Sequence, residues 1–229
     1  NYTKIFTDAS FNHALWYTAL FTVVSVILIN VLAFGVALLL TRKIRGTNVF
    51  RTVFFMPNLI GGIILGYIWQ LLLNGILLQF GRTLTYSSTY GFWGLVILLC
   101  WQQVGYMMII YIAGIQNIPG ELVEAARIDG AGTGQILKNV TIPMVMPSVT
   151  ICTFLTLTNS FKLFDQNLAL TNGEPSKMSE MLALNIYNTF YGRAGYEGVG
   201  QAKAVVFFLL VAVIAIAQIR ITRRKEVQQ

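Results

Sequence analysis

The sequence predicts an all-α integral membrane protein with five membrane-crossing segments. Three observations carry this. The 229 residues are 55% apolar and only 11% charged, against about 25% charged in a soluble domain. Charge is absent over five stretches, Phe11 to Thr41, Thr52 to Gly81, Thr83 to Gly120, Asn139 to Phe161 and Ala204 to Ile219, and about 20 mainly apolar residues suffice to cross a bilayer. No stretch alternates as a strand would, and the charged surface helices that a soluble core of this size requires are missing.

Each element follows from its local residues. The first span, about 14–41, mixes Ser, Thr, Gly and Ala with bulky side chains, as helix packing in lipid prefers. The second, about 53–78, contains Pro57, which kinks or breaks its start, and Gly62 and Gly66, a GxxxG face for close approach of another helix. The third is about 92–117. Prolines 143 and 147 suit the start of the fourth, about 143–165. Residues 166–202 form a longer connection with a turn at "TNGEP" and a short helix in "SEMLALNIYNTF". The fifth span, about 203–221, is short, and Lys203 and Arg220 can snorkel from its ends.

Basic residues orient the chain. One set of connections holds Arg42, Lys43, Arg45, Arg51, Arg127, Lys138, Arg220, Arg223, Arg224 and Lys225; the other holds six. The positive-inside bias places the first set, and the C-terminus, in the cytoplasm. Residue 1 is then outside, and the expectation is a further span upstream of it. The net charge of +7 is thus topological, with no aromatic-interleaved basic face for nucleic acid. Cys100 and Cys152 lie inside spans without metal-ligand spacing and serve as small packing residues; the lone His13 is interfacial. No metal centre is expected. "GAGTGQ" (130–135) lacks the GK[ST] ending of a phosphate loop, and the Asn139-Val-Thr sequon falls on the cytoplasmic side.

One stretch is dense in charge: "ELVEAARIDGAG", Glu121 to Gly132. Pro119 and Gly120 end the preceding structure, and Glu121 and Glu124 begin a new helix, where carboxylates favour the positive dipole end. Leu122, Ala125, Ala126 and Asp129 share a narrow face, Gly130 suits a helix C′ position, and Thr133 can cap a second short helix. The segment 119–141 is a compact helix–turn–helix on the membrane surface, shaped as a docking knob.

"EAARIDGAG", with Ile142-Pro143 beyond it, resembles the EAA loop of ATP-binding-cassette (ABC) importer permeases: Glu124, Ala125, Ala126 and Gly130 fit, followed by Ile142 and Pro143. "RTVFFMPNLIGG", "AGIQNIPGELVEAARIDGAG" and "LFDQNLALTNGEP" are similar to the carbohydrate-importing branch, typified by the larger maltose permease subunit; Glu174 departs from a glycine common there. The resemblance covers essentially the whole chain. It implies a type I ABC importer transmembrane domain with six core spans. It also implies a bacterial cell-membrane location and four partners: a cytoplasmic ATPase dimer, a second homologous permease, an external sugar-binding protein and the sugar itself. ATP and Mg would sit on the ATPase, with no cofactor in this chain. Glu124, Ala125, Ala126, Asp129 and Gly130 would couple to it, with Gly130 permitting the turn and Asp129 capping its backbone amides.

Sugars are held by polar groups that match hydroxyls and by aromatic faces. Two clusters within spans offer these: Trp101, Gln102, Gln103 and Tyr106 in "WQQVGY", and Thr156, Asn159 and Ser160 at i, i+3, i+4 in "TLTNSFKLFDQN". The expected substrate contacts are Trp101, Gln102, Tyr106, Thr156, Asn159 and Ser160. Lys162 and Asp165 read as a gate or an ion pair at the outer end of the span. The competing function is a stand-alone secondary transporter or channel, or an importer permease for a non-sugar solute; a carrier would leave the knob unexplained. A membrane enzyme is disfavoured by one histidine and no clustered Ser/His/Asp.

Overall fold

The computed structural model describes residues 2–42 and 45–223. Lys43, Arg224 and Lys225, three of the basic residues that orient the chain, lie outside the described residues. The order is α1 (Tyr2–Thr7), α2 (Ala9–Leu40), α3 (Thr47–Phe55), α4 (Gly62–Leu77), α5 (Ser88–Gln116), α6 (Gly120–Ile128), α7 (Thr133–Ile136), α8 (Ile142–Met144), α9 (Met146–Phe161), α10 (Asp165–Leu170), α11 (Leu182–Gly192) and α12 (Glu197–Arg223). No strand occurs among the described residues. Helices Ala9–Leu40, Gly62–Phe80, Ser88–Gln116 and Glu197–Arg223 are long and apolar enough to cross a membrane.

α5 is the central helix. Leu95, Leu98, Leu99, Met107 and Met108 are buried on it, against Phe21, Ile29, Ala33 and Ala37 of α2 and Cys152 of α9. Cys100 and Cys152 are free thiols within this packing. The end of the bundle that carries α6 is here called the knob end, and the opposite one the far end. At the knob end α5 meets α9 where Gly114 faces Ser148. At the far end Gly91 faces Thr171 and Ser179, and Gly94 faces Leu170.

Two predicted spans are broken helices. The second is not continuous from 53 to 78. A 3-10 turn, Met56–Leu59, with buried Pro57, separates α3 from α4. Proline removes one backbone donor and Gly61 begins the next helix in extended conformation. α3 therefore lies across α5, and it can do so because residue 105 is glycine: a Cβ there would clash with the Phe54 carbonyl. The Gly62/Gly66 face does receive a close neighbour, but it is the short α10. Cβ atoms on these glycines would lie 2.7 Å from that of Asp165 and 2.6 Å from that of Ala169.

The fourth span is also divided. The chain enters through α7, a π-helical turn Leu137–Thr141 and α8, then bends by 67° at Val145 into α9. Pro147 sits in the first turn of α9, where no backbone donor is lost, and Pro143 lies just after the π-helical turn in the preceding piece. α9 has 16 residues, about 24 Å at 1.5 Å per residue, short of a hydrocarbon core of about 30 Å. Residues 162–164 break the helix and α10 continues alongside α4, where Gln70 Nε2 donates to the Leu170 carbonyl at 2.9 Å.

The last span starts earlier than predicted, at Glu197, and Lys203 does not snorkel. It is 1% exposed and donates to Asp8 Oδ2 at 2.8 Å, Asn185 Oδ1 at 2.9 Å and Thr189 Oγ1 at 3.0 Å. Asn185 in turn donates to Ser10 Oγ and to Glu180 Oε2, and Asn188 donates to Glu180 Oε1. The ammonium's three protons, the half-buried Asp8 carboxylate and the buried Glu180 carboxylate are thus all matched, which is the condition for a buried charge to be tolerated. The network ties α2, with its N-cap Asp8, to α11 and α12 at the far end. Exposed His13 reaches the Met178 carbonyl nearby. Burial alone raises the Asp8 carboxyl's pKa, but the hydrogen bond and charge of Lys203, with the backbone N–H groups of Ser10 and Phe11, outweigh it and hold it below its ordinary value.

Two outcomes follow. Gly105→Ala must displace α3 and should lower the melting temperature of the purified protein, since overpacking costs about 1–3 kcal/mol; an unchanged melting temperature would contradict the crossing. Asp8→Ala strands a buried ammonium and should destabilise by about 3 kcal/mol, more than Asp8→Ala combined with Lys203→Met. Because the folded Asp8 pKa is depressed, this stabilisation is present above about pH 4 and is lost as the pH falls through the folded value. Thermal melts of the single and double variants between neutral and acid pH check both sign and order.

Candidate functional site

A cleft of about 270 Å³ opens where α9 ends. Gln103, Asn159, Lys162, Asp165 and Gln166 supply its polar groups, and Leu99, Leu163 and Phe164 its apolar wall. Its depth follows from the helices around it. Gln103 is close to the midpoint of α5, and Asn159 Nδ2 donates to Gln103 Oε1 at 3.4 Å. The cleft therefore lies near mid-membrane, not at the outer end of a span as the sequence implied for Lys162 and Asp165.

The break creates the site. Lys162 caps α9 and Asp165 opens α10, so both charges emerge at the gap between two helix pieces. They do not form the expected ion pair; among the described residues the one ion pair joins Lys203 and Asp8. Both side chains are exposed to the cleft. Charges at this depth are costly unless water or a polar ligand solvates them, and irregular backbone in a membrane is found where it lines a cavity. Their exposure at this depth thus argues for an aqueous cleft.

Of the predicted substrate residues, only Asn159 lines it, joined by the two gate residues. Gln102 stands behind the wall: its Oε1 accepts from Gln166 Nε2 at 2.8 Å and its Nε2 donates to the Ile60 carbonyl at 3.3 Å. It fixes the side chain that does face the cleft. Thr156 is 1% exposed; it donates to the Cys152 carbonyl at 2.7 Å and accepts from Asn30 Nδ2 at 3.0 Å, while Tyr111 donates to Asn30 Oδ1 at 2.7 Å. That is a helix–helix contact between α2, α5 and α9. Ser160 is fully buried, with no hydrogen-bond partner among the described residues. Trp101 stacks edge-on with Trp69 of α4 at 5.6 Å, and Tyr106 packs against Phe55 of α3 at 6.3 Å. None of the four lines the cleft: Thr156, Ser160 and Tyr106 lie on faces that pack against neighbouring helices, and Trp101, 45% exposed, meets only Trp69 of α4 among the rings. Phe164 falls inside the predicted fourth span and Gln166 just past its end, in the polar run "TLTNSFKLFDQN", but the sequence singles out neither as a contact; the helix break at 162–164 is what turns both to the cleft.

At the knob end, α6 closes with a Schellman pair: the Ala131 N–H donates to the Ala126 carbonyl at 2.9 Å and the Gly130 N–H to that of Arg127 at 3.0 Å. Gly130 has φ +80°, a conformation that side chains rarely adopt. The turn's amides are therefore satisfied by backbone, not capped by Asp129. Thr133 does not cap α7 either; Gly132 does, and its N–H donates to Gln135 Oε1 at 2.8 Å. No residue of α6 is buried. Glu124, Ala125, Asp129 and Gly130 are exposed, Ala126 is half-buried, and Ile128 is 86% exposed. An apolar side chain displayed on a rigid elbow is unaccounted for by this chain alone.

A membrane-embedded helical bundle with a polar mid-depth cleft and an unpacked surface knob defines a transport subunit. Residues 46–227 match the family described as binding-protein-dependent transport system inner membrane component, and the chain belongs to that family. It is similar to the probable starch degradation products transport system permease protein AmyD of Thermoanaerobacterium thermosulfurigenes, 45% identical over 237 residues, 100% of this chain and 80% of the relative. It is 30% identical over 236 residues to the multiple sugar-binding transport system permease protein MsmF of Streptococcus mutans serotype c, covering 99% of this chain and 81% of that one. The crystal structure of a bacterial ABC transporter involved in the import of the acidic polysaccharide alginate shares the fold. Its TM-score is 0.83 at 19% identity, over 97% of this chain and 82% of that chain. Membership of this family removes the stand-alone carrier reading.

An aqueous cleft makes a direct demand. Lys162→Cys and Asp165→Cys should each react with a membrane-impermeant maleimide from water, and Ser160→Cys should react far more slowly. Equal protection of all three would place 162–166 in lipid or packed protein.

Proposed function

We propose that this chain is the membrane-spanning subunit of an ABC importer that carries a sugar or oligosaccharide inward. The observation that carries the reading is the polar mid-membrane cleft at the α9–α10 break, in a chain 45% identical to a permease named for starch degradation products. Amides and charged groups at its polar wall suit hydroxyl-rich solutes, and Phe164 supplies a ring face. In this reading Asn159, Gln103 and Gln166 contact the sugar, and Lys162 and Asp165 line its passage.

The knob end is cytoplasmic in this proposal, and the C-terminus with it, in keeping with the basic residues concentrated there. Glu124, Ala125, Ala126, Asp129 and Gly130 present the elbow to a cleft on an ATPase subunit, with Ile128 as its apolar anchor. ATP and Mg are held by that ATPase dimer. A second permease completes the pathway, and an external binding protein, as the family's description implies, delivers the solute. Closure of the ATPase works the bundle only if it binds one permease conformation better than the other; shifting 1:99 to 99:1 needs about 5.5 kcal/mol of differential affinity.

Gly130→Val forces a β-branched residue into a left-handed conformation at an exposed turn, so the bundle should survive while the elbow changes shape. The expected result is normal membrane insertion with oligosaccharide uptake reduced at least about tenfold, or ~1.4 kcal/mol of coupling. Normal uptake would reject the docking role. Asn159→Ala should weaken uptake with expression and partner assembly unchanged; unaltered transport would remove Asn159 from the substrate path.

A further inference from the structure

A second groove, of about 420 Å³, lies at the far end between α11 and α12. Its wall is an unbroken series of ring contacts. Phe164 meets Tyr187 at 5.2 Å with planes tilted by 56°, and Tyr187 meets Tyr191 at 4.9 Å with planes tilted by 45°. Tyr187 and Tyr191 are four residues apart on α11 and so share one face. They are 42% and 73% exposed. Gln201 adds an amide, and Gly200 lets α12 approach α11 so closely that a Cβ there would sit 2.8 Å from that of Phe190.

Phe164 belongs to both cavities: it lines this groove and the polar cleft at the helix break. The rings therefore run from the far-end surface to the edge of the cleft. The opposite face of α11 is fixed, since Asn185 and Thr189 accept from the buried Lys203 and Asn188 donates to Glu180. The tyrosines are thus presented from a rigid support. Aromatic side chains in a membrane-interface belt would need neither the mutual contacts nor the continuity with a polar cleft.

We infer that Tyr191, Tyr187 and Phe164 form a carbohydrate-stacking track that guides a chain of pyranose rings from the far-end surface into the cleft. The inference rests on the sugar reading above. A pyranose offers an apolar C–H face to a ring and hydroxyls at its rim, and the tyrosine hydroxyls and Gln201 meet the latter. Successive rings in contact let one sugar unit advance while the next is already held. A track also explains why phenolic rings stay exposed here when they could bury.

The test uses the whole transporter, this chain with its ATPase, partner permease and binding protein, in proteoliposomes loaded with ATP. Uptake of a short and a long α-1,4-linked glucose oligomer is measured. Tyr187→Ala and Tyr191→Ala should lower kcat/KM for the long oligomer by roughly fivefold to tenfold, as loss of a stacking contact predicts, and the short one less. Tyr187→Phe should retain most of the uptake, because the ring face is kept. Should Tyr187→Ala fail to assemble, the more exposed Tyr191→Ala carries the test. In Tyr191→Cys, saturating long oligomer should slow maleimide labelling. Wild-type transport with unchanged uptake in the assembled alanine variants and unchanged labelling would overturn the track but leave the sugar reading standing. Wild-type uptake of neither oligomer, with no mono- or oligosaccharide bound by the binding protein, would overturn both.

Discussion

The structure is governed by what a hydrocarbon interior withholds: partners for charges and for unpaired backbone groups. A helix that stops at Phe161, near mid-membrane, leaves carbonyls and two charged side chains that lipid cannot satisfy. They are tolerated because α4, α5 and α10 surround the gap and leave room for water. The glycines at 62 and 66 let α10 lie close against α4, and the Gln102–Gln166 bond fixes the resumed helix to α5. The polar cleft is the consequence of breaking one crossing and housing the break.

The two ends of the bundle are built differently around it. At the far end, the buried Lys203 is fully matched: with Asp8, Asn185, Thr189, Ser10 and Glu180 it ties three helices together. At the knob end, α6 buries nothing and shows Ile128 to its surroundings, while the helical piece that follows it joins α9 through a 67° bend at Val145. A knob that is rigid in itself yet unpacked against its own chain can move with whatever holds it. Force applied at α6 would reach the cleft along one continuous piece of chain, through α8 and α9.

Much of this was legible in the sequence. Charge-free runs marked the crossings because lipid imposes composition along the whole length of a helix. Pro57 announced its break, Gly62 and Gly66 their close neighbour, and Gly130 its left-handed turn. The break at 162–164 was not legible. "SFKLF" carries neither proline nor glycine, so Lys162 and Asp165 read as the end of a span when they are its middle. The i, i+3, i+4 pattern grouped Thr156, Asn159 and Ser160, yet tertiary packing separates them: Thr156 is buried against Asn30 and Ser160 is buried, while Asn159 lines the cleft beside Gln103. Lys203 looked like a snorkelling end residue because its partners lie 14 to 195 positions away.

The most direct test of the account is a cryo-electron microscopy structure of the assembled transporter in a lipid nanodisc, captured with an oligosaccharide-loaded binding protein. The account predicts that the helix is interrupted at residues 162–164, with ligand density against Asn159, Gln103 and Gln166. A continuous helix from 146 to 170, or solute density elsewhere with the cleft packed shut, would contradict it.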